Sequence, residues 1–333
     1  MLRKLLVLLV LWLPAWATTG AVEEATCPAC GTQVSVTVLY TSNNAGGMDR
    51  DFLERPAGGF ALLLTPATCP KCHYTVSDAS LFEEPVPPEL LKRLTELKLP
   101  EHQPITPNGP SRAYFTEGLD SLQSLPAWAR WDLMAQQSKL VDDPVLTQAL
   151  FLHRAAWSVR LEDNPFTPLA GQLSEEEWKT ALQALEPDTE AGRADIEVEM
   201  ARQLLAGPEL SGPQATLAGF LLRTHGELSE LEQALPRLVA AMRQPQLEQQ
   251  VTASIAHERS YLERVLQLLE AGLETPEAEG PSRANLLYLR GELARRLGRP
   301  QVALESYRAA LAAQPADWLK TWANEQAKLV GGP

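Results

Sequence analysis

A mostly α-helical chain with a small β module at its N-terminal end is what the sequence predicts. Three observations carry that expectation. Residues 126–333 are patterned at helical spacing almost throughout, residues 18–84 show only short alternating stretches between turn formers, and all four cysteines fall in that first stretch. With 333 residues and a hydrophobic fraction of 45%, the chain can bury a sizeable core and has the length of two domains. A formal net charge of −13 argues against a nucleic-acid partner, because phosphate binding needs clustered Lys and Arg. The acidic residues are spread along the helical part, as on a solvated surface.

The chain opens with "MLRKLLVLLVLWLPAWATTG". Arg3 and Lys4 form a positive start, Leu5 to Leu13 an apolar run, Pro14 a break, and Ala15-Trp16-Ala17 a small-x-small cleavage site. The apolar run is shorter than the ~20 residues that span a bilayer. The expectation is a signal peptide over 1–17 and a mature, exported protein from Thr18, periplasmic or secreted, with no stable membrane span; an uncleaved N-terminal anchor is the alternative. Glu24-Ala25-Thr26 does not make a lipoprotein box before Cys27.

Residues 18–84 come next. Val34, Val36 and Val38 alternate with Ser35 and Thr37, the period of a half-buried strand. Phe60 to Leu64 reads as a second strand. The intervening "TSNNAGGMDRDFLERPAGG" is rich in turn formers and reads as a loop. Its Asn43, Asn44, Asp49, Asp51 and Glu54 have the chemistry for a small cation or a partner, but Asx turns use the same residues. Pro85, Pro87 and Pro88 then begin a connector over 85–125, with a short helix through Leu90, Leu91, Leu94 and Leu97 and a second irregular link at Pro104, Pro107, Gly109 and Pro110.

From 126 onward the pattern predicts helices at 126–140, 144–162, 174–186, 189–206, 213–225, 227–242, 246–272, 282–297, 300–313 and 316–329. Ser174 and Glu177 form a capping box. Leu247, Val251, Ile255, Leu262, Val265, Leu266 and Leu269 make one apolar stripe. Trp128, Trp131, Trp157, Trp178, Trp318 and Trp322 are read as core. The stretch "ANLLYLRGELARRLGRPQVALESYRAALAAQP" resembles a tetratricopeptide repeat. Gly291 and Ala303 stand at its small positions, Gly298 at the turn, Tyr307 at a bulky position facing the next helix pair, Ala310 at the next small one and Pro315 at the stop. Leu287 and Arg290 depart from that frame. "QATLAGFLLRTHGELSELEQALPRL" is a weaker copy, with Gly219 and Gly226 in the equivalent places. The expected architecture is therefore a helical solenoid of stacked pairs, with Trp318 to Val330 as a capping helix.

Cys27-x-x-Cys30 and Cys69-x-x-Cys72 are separated by 38 residues. Two short turns, each presenting a thiol pair, are the arrangement of a zinc ribbon, in which four thiolates surround one Zn²⁺. Disulfides, suited to an exported chain, and a thioredoxin-type redox pair are the competing states. Magnitudes favour the metal. A disulfide within one pair contributes ~2 kcal/mol and one between Cys27 and Cys69 ~4 kcal/mol, whereas zinc in such a site contributes on the order of 10–16 kcal/mol of coupled folding energy. Redox pairs also sit at a helix N-terminus within a βαβ unit, and no helix pattern follows either pair directly. His73, which stands where Gly31 stands in the first turn, is either a further candidate ligand or a solvent-facing turn residue.

The order of "TCPACG", a valine strand, "SNNAGGMDRDF", a strand and "TCPKCHY" resembles an uncharacterised bacterial family with a zinc ribbon followed by tetratricopeptide-like helices. "ALFLHRAAWSVRLEDN", notably Ala155-Ala156-Trp157 and Arg160, is similar to that family's first long helix. The resemblance implies one structural zinc at Cys27, Cys30, Cys69 and Cys72, and implies no activity. His73 departs from the family's usual glycine.

No G-x-S-x-G, H-E-x-x-H or phosphate-cradling glycine loop occurs, and the five histidines are scattered. Four thiolates leave zinc no open position for water, so the metal is expected to be structural. The expected function is an exported interaction scaffold that binds a protein or peptide partner. Asn285, Tyr288, Glu292, Arg295 and Arg296 are candidate partner contacts on the inner face of the last repeat, where Tyr and paired Arg suit an acidic or C-terminal carboxylate segment. The rival is a thiol-based redox or zinc-handling protein acting through the CxxC pairs.

Overall fold

The computed structural model describes residues 19–56, 60–100, 125–183, 193–280 and 282–331. The leader expected over 1–17 and the central part of the expected connector lie outside the described residues. The chain is mostly α-helical, with two small antiparallel sheets near its N-terminal end.

β1 (Thr19–Thr26) pairs with β2 (Gln33–Thr41), with Ala25 opposite Val34 and Thr26 opposite Gln33. Val34 and Val36 point into a small core, as their alternation predicts. β1 was not expected. Its sequence, TGAVEEAT, contains neither aromatics nor a clear alternation, and it is held by β2, with Ser35 Oγ donating to Glu24 Oε1 at 2.7 Å and Tyr40 Oη to Glu23 Oε1 at 2.9 Å. β3 (Ala67–Thr68) and β4 (Thr75–Val76) form the second sheet.

The strand expected at Phe60–Leu64 does not form; Ala61–Leu63 is a 3₁₀ turn instead. Leu63 and Leu64 are both buried although adjacent, which a strand with one solvated face does not allow. The carbonyls find side-chain donors rather than a neighbouring strand. Trp131 Nε1 donates to Leu62 O at 2.9 Å, Arg130 Nη2 to Leu63 O at 2.6 Å, and Arg130 Nη1 to Pro66 O.

The helices are α1 (Pro88–Arg93), α2 (Ala127–Leu140), α3 (Val145–Glu162), the short α4 (Thr167–Ala170), α5 (Glu175–Gln183), α6 (Arg193–Ala206), α7 (Gly212–His225), α8 (Leu228–Met242), α9 (Gln246–Gly272), α10 (Ser282–Arg296), α11 (Pro300–Ala312) and α12 (Asp317–Gly331). α2 packs on α3, α3 on the long α9, α6 on α7, α7 on α8, α10 on α11, and α11 on α12. The expected stripe of α9 is buried along its whole length. The capping box also forms: Glu177 N donates to Ser174 Oγ at 3.2 Å, and Ser174 N to Glu177 Oε2 at 2.8 Å.

α2 joins the two parts. Leu133 enters the same cluster as Val34, Val36, Tyr74, Phe82 and Leu90. Gln137 takes the place of a strand beside β4, since it accepts from Thr75 N at 3.1 Å and donates to Thr75 O at 2.8 Å. Trp128, Trp131 and Trp157 are core residues as expected, but Trp318 is 45% exposed.

Gly291 has the role anticipated for it, because a Cβ there would stand 2.5 Å from Tyr307 Cε1. Tyr307 packs back onto α10, its hydroxyl donating to Glu292 Oε1 at 2.8 Å, and shares a buried cluster with Leu319 and Ala323 of the following helix α12. Gly219 serves a different neighbour, Phe166, whose Cε1 would lie 2.2 Å from an added Cβ.

Candidate metal centre

Cys27 ends the turn side of β1, and its backbone N–H donates to Thr32 O at 2.8 Å. Gly31 N returns to Cys27 O at 2.9 Å, with Gly31 at φ +72. The second turn repeats the arrangement: Cys69 N donates to Tyr74 O at 2.9 Å, His73 N to Cys69 O at 3.0 Å, and His73 adopts φ +62. That left-handed conformation is easy for glycine and costs other residues roughly 1–2 kcal/mol. His73 is thus the turn residue, and among the described residues the cluster with ligand geometry consists of the four cysteines.

All four Sγ atoms lie within 4.8 Å of one another. The close contacts run between the turns, with Cys27 Sγ 3.6 Å from Cys72 Sγ and Cys30 Sγ 3.5 Å from Cys69 Sγ. A tetrahedron with metal–sulfur bonds of about 2.3 Å has edges of about 3.8 Å. The observed separations are close to such edges, and all four residues are free thiols. The four can therefore hold one ion, and that ion would tie residues 27–30 to residues 69–72.

Burial pushes the Cys27 thiol up to about 11 and moves Cys72 upward as well. At Cys30 burial acts in the same direction, but hydrogen bonding with Thr32, at 3.3 Å from Sγ to Oγ1, outweighs it and brings the thiol down to about 6. A cation at this point would displace protons from Cys27 and Cys72, so its affinity would rise with pH.

Asn43, Asp49 and Asp51 use their side chains within the protein, whereas Asn44 and Glu54 are exposed and make only backbone contacts in the loop. Asn43 Oδ1 accepts from Ala45 N at 3.0 Å, an Asx turn, and Asn44 O accepts from Gly47 N at 2.8 Å. Glu54 forms a bridge with Met48. Asp49 accepts from Arg55 Nε at 2.6 Å. Asp51 accepts from Trp157 Nε1 at 3.0 Å and faces Arg160 Nη2 at 2.7 Å. Phe52 then reaches a ring cluster of Tyr288, Trp318 and Trp322, with centroids 5.6, 6.1 and 6.5 Å away.

The five residues expected to share one binding face are placed differently from one another. Asn285 is exposed, while Tyr288 is buried beneath Phe52. Glu292, Arg295 and Arg296 line a cavity of about 1020 Å³ bounded by α6, the α7–α8 corner, α10 and α12. Arg295 Nη2 lies 3.0 Å from Glu292 Oε2, and Arg296 is buried with its Nε 2.6 Å from Glu258 Oε1.

That last contact belongs to an ionic knot absent from the sequence reading. Glu258, fully buried on α9, is met by Arg160 Nε at 3.1 Å, by Arg296 and by Arg223 Nη1. Glu258 follows Ile255 by three residues and precedes Leu262 by four, so it occupies a place in the apolar stripe. A charge at a core-facing position was the available signal.

No family model, no curated protein and no solved structure matches the chain.

Proposed function

We propose that the chain is an exported protein-interaction scaffold, with an N-terminal zinc ribbon stabilised by one structural Zn²⁺ and tetratricopeptide-like helix pairs presenting a surface for a protein or peptide partner. The observation that carries this reading is the mutual approach of the four cysteine sulfurs, all within 4.8 Å. Soft thiolates in a four-cornered arrangement suit zinc, and four protein ligands fill its coordination and leave none for a substrate or water. Further support for a scaffold comes from helix pairs such as α10–α11, closed by Gly291 against Tyr307. The apolar start of the sequence supports export, and among the described residues no helix is long and apolar enough to cross a membrane.

The test is to purify the chain from its own cell envelope without chelator. Expected are about one zinc per chain, an N-terminus at Thr18, thiols that react only after chelation, and co-purification of a partner released by competing peptide. A metal-free chain with disulfides, or with one rapidly exchanging thiol pair and disulfide-reductase activity, would overturn the scaffold in favour of thiol chemistry.

A further inference from the structure

The cavity bounded by α6, the α7–α8 corner, α10 and α12 shares no lining residue with the thiol centre, and its charges are already matched. Each arginine on its wall, Arg50, Arg160, Arg202, Arg295 and Arg296, is paired with a carboxylate at 2.6 to 3.0 Å. Four of the five carboxylates on the wall are in ion pairs as well, and the fifth, Glu199, is exposed and accepts from Gln203 Nε2 at 3.3 Å. An acidic ligand would have to break one of these pairs to gain a cation.

What the wall offers instead is an amide. Gln326, on α12, is 2% exposed, and its side chain makes no hydrogen bond among the described residues. Its amide atoms are nevertheless not sealed from solvent, so the little surface the residue keeps is at the amide, facing the cavity it lines. Leu329 and Val330 follow three and four residues later, the spacing that places side chains on one helix face, and both line the same cavity. Leu329 is 68% exposed. This face of α12 therefore presents a donor and an acceptor next to an apolar edge. Ser229 and Gln233 of α8 also line the cavity, and their side chains are likewise uncommitted among the described residues.

We propose that this cavity binds an extended segment of a partner protein by its backbone, the N–H and C=O of one residue pairing with the Gln326 amide and an apolar side chain resting on Leu329 and Val330. A primary amide carries its donors and its acceptor side by side. One residue of an extended chain turns its N–H and C=O to the same side, as in the hydrogen-bonded pair of an antiparallel ladder. Two such bonds need no charge on either partner, which suits a wall whose charges cancel. The volume of about 1020 Å³ has room for a short stretch of peptide, since ligand sites occupy roughly 300–1,000 Å³. The inference rests on the scaffold reading and names the chemistry of its partner, an uncharged stretch with an apolar residue rather than an acidic one.

The test is fluorescence anisotropy of the full chain with a library of dye-labelled, C-terminally amidated hexapeptides, each with one apolar residue among uncharged ones, beside counterparts carrying aspartate at the flanking positions. At least one uncharged peptide should bind with a Kd below about 1 mM, and its acidic counterpart should bind more weakly. Methylation of one of its peptide nitrogens should weaken binding roughly tenfold, and methylation of the nitrogens on either side, which point away, should weaken it less. Gln326→Met, which keeps the length of the side chain, should weaken the same peptide roughly tenfold without lowering the unfolding temperature, because it removes a buried amide that no protein group pairs. Leu329→Asp, on the surface, should weaken it as well and serves if Gln326→Met does not fold. Absence of binding by every uncharged peptide in the millimolar range would overturn the proposal. So would tighter binding of the acidic peptides, or binding indifferent to both variants. A partner from the cell envelope that is held equally by wild type and Gln326→Met would overturn this site and leave the scaffold standing.

Discussion

Replacing Glu258 by glutamine removes one charge from the knot while nearly preserving its shape. Glu258 is fully buried, with Arg296 Nε at 2.6 Å and Arg160 Nε at 3.1 Å and Arg223 Nη1 in contact. Loss of one member of a buried pair costs ~3–5 kcal/mol, because the remaining charge stays desolvated without compensation. Glutamine keeps an acceptor, so the lower end of that range, about 3 kcal/mol, applies. For a chain of this size, with an unfolding entropy of about 0.7 kcal/mol/K, that lowers the unfolding temperature by about 4–5 °C. The assay is circular dichroism at 222 nm during heating, repeated across pH. Burial acts to raise the Glu258 carboxyl, but Arg296, Arg223 and Arg160 outweigh it and hold it well below the usual carboxylate range. The folded value is therefore below the unfolded one, and the stabilisation is complete above about pH 4.3 and declines as the pH falls below it. The gap between wild type and Glu258→Gln should be constant from pH 6 to 8 and should narrow below about pH 4.3. A loss under about 1 kcal/mol at pH 7, or a gap that widens in acid, would refute the reasoning.

Glu162 provides the opposite sign. Burial, opposed by Arg130 and the Ala127 N–H, raises its carboxyl to about 7. Its ionised form is a cost that grows as the pH climbs from the unfolded value and is complete above the folded one. Thermal scans should show Glu162→Gln gaining stability over wild type between pH 5 and 8, by roughly 1–3 kcal/mol, and showing no such gain at pH 4. His73→Gly should relieve the φ +62 turn and stabilise the ribbon by roughly 0.5–1 kcal/mol in urea titrations, with metal content unchanged. Phe52→Ala should cost roughly 2 kcal/mol, less than the ~3–5 kcal/mol of a fully buried phenylalanine because Phe52 is only half-buried, and shift tryptophan emission to the red as Trp318 and Trp322 lose their neighbour.

The two cysteine turns were legible because their chemistry is local. Proline after the first cysteine and a left-handed residue after the second prescribe the same backbone twice, whatever surrounds it. The helices were legible for a similar reason, since apolar periodicity and caps such as Ser174–Glu177 are written within each segment. Contacts made at a distance left weaker traces. Phe60–Leu64 has strand-like composition, but its carbonyls are claimed by Arg130 and Trp131 of α2. Asp51 and Phe52 read as ordinary loop residues, yet they are held by Trp157, Arg160 and the rings of α10 and α12. Glu258 and Arg223 carry no local mark that sets them apart from solvated charges, and Arg296 reads as a partner contact although it is buried against Glu258. Tyr288 and Glu292 were likewise expected at a surface, and the loop covering the first was not foreseeable from α10.

The central claim is that one ion joins the two cysteine turns and thereby holds the N-terminal module together. Cobalt titration of the reduced, metal-free chain tests it most directly. The account predicts intense visible absorption of tetrahedral cobalt tetrathiolate that saturates at one equivalent, is displaced by zinc, and appears together with recovery of the β1–β2 amide-exchange protection. Weak, octahedral absorption with no saturation, or full protection of β1–β2 before any metal is added, would contradict it.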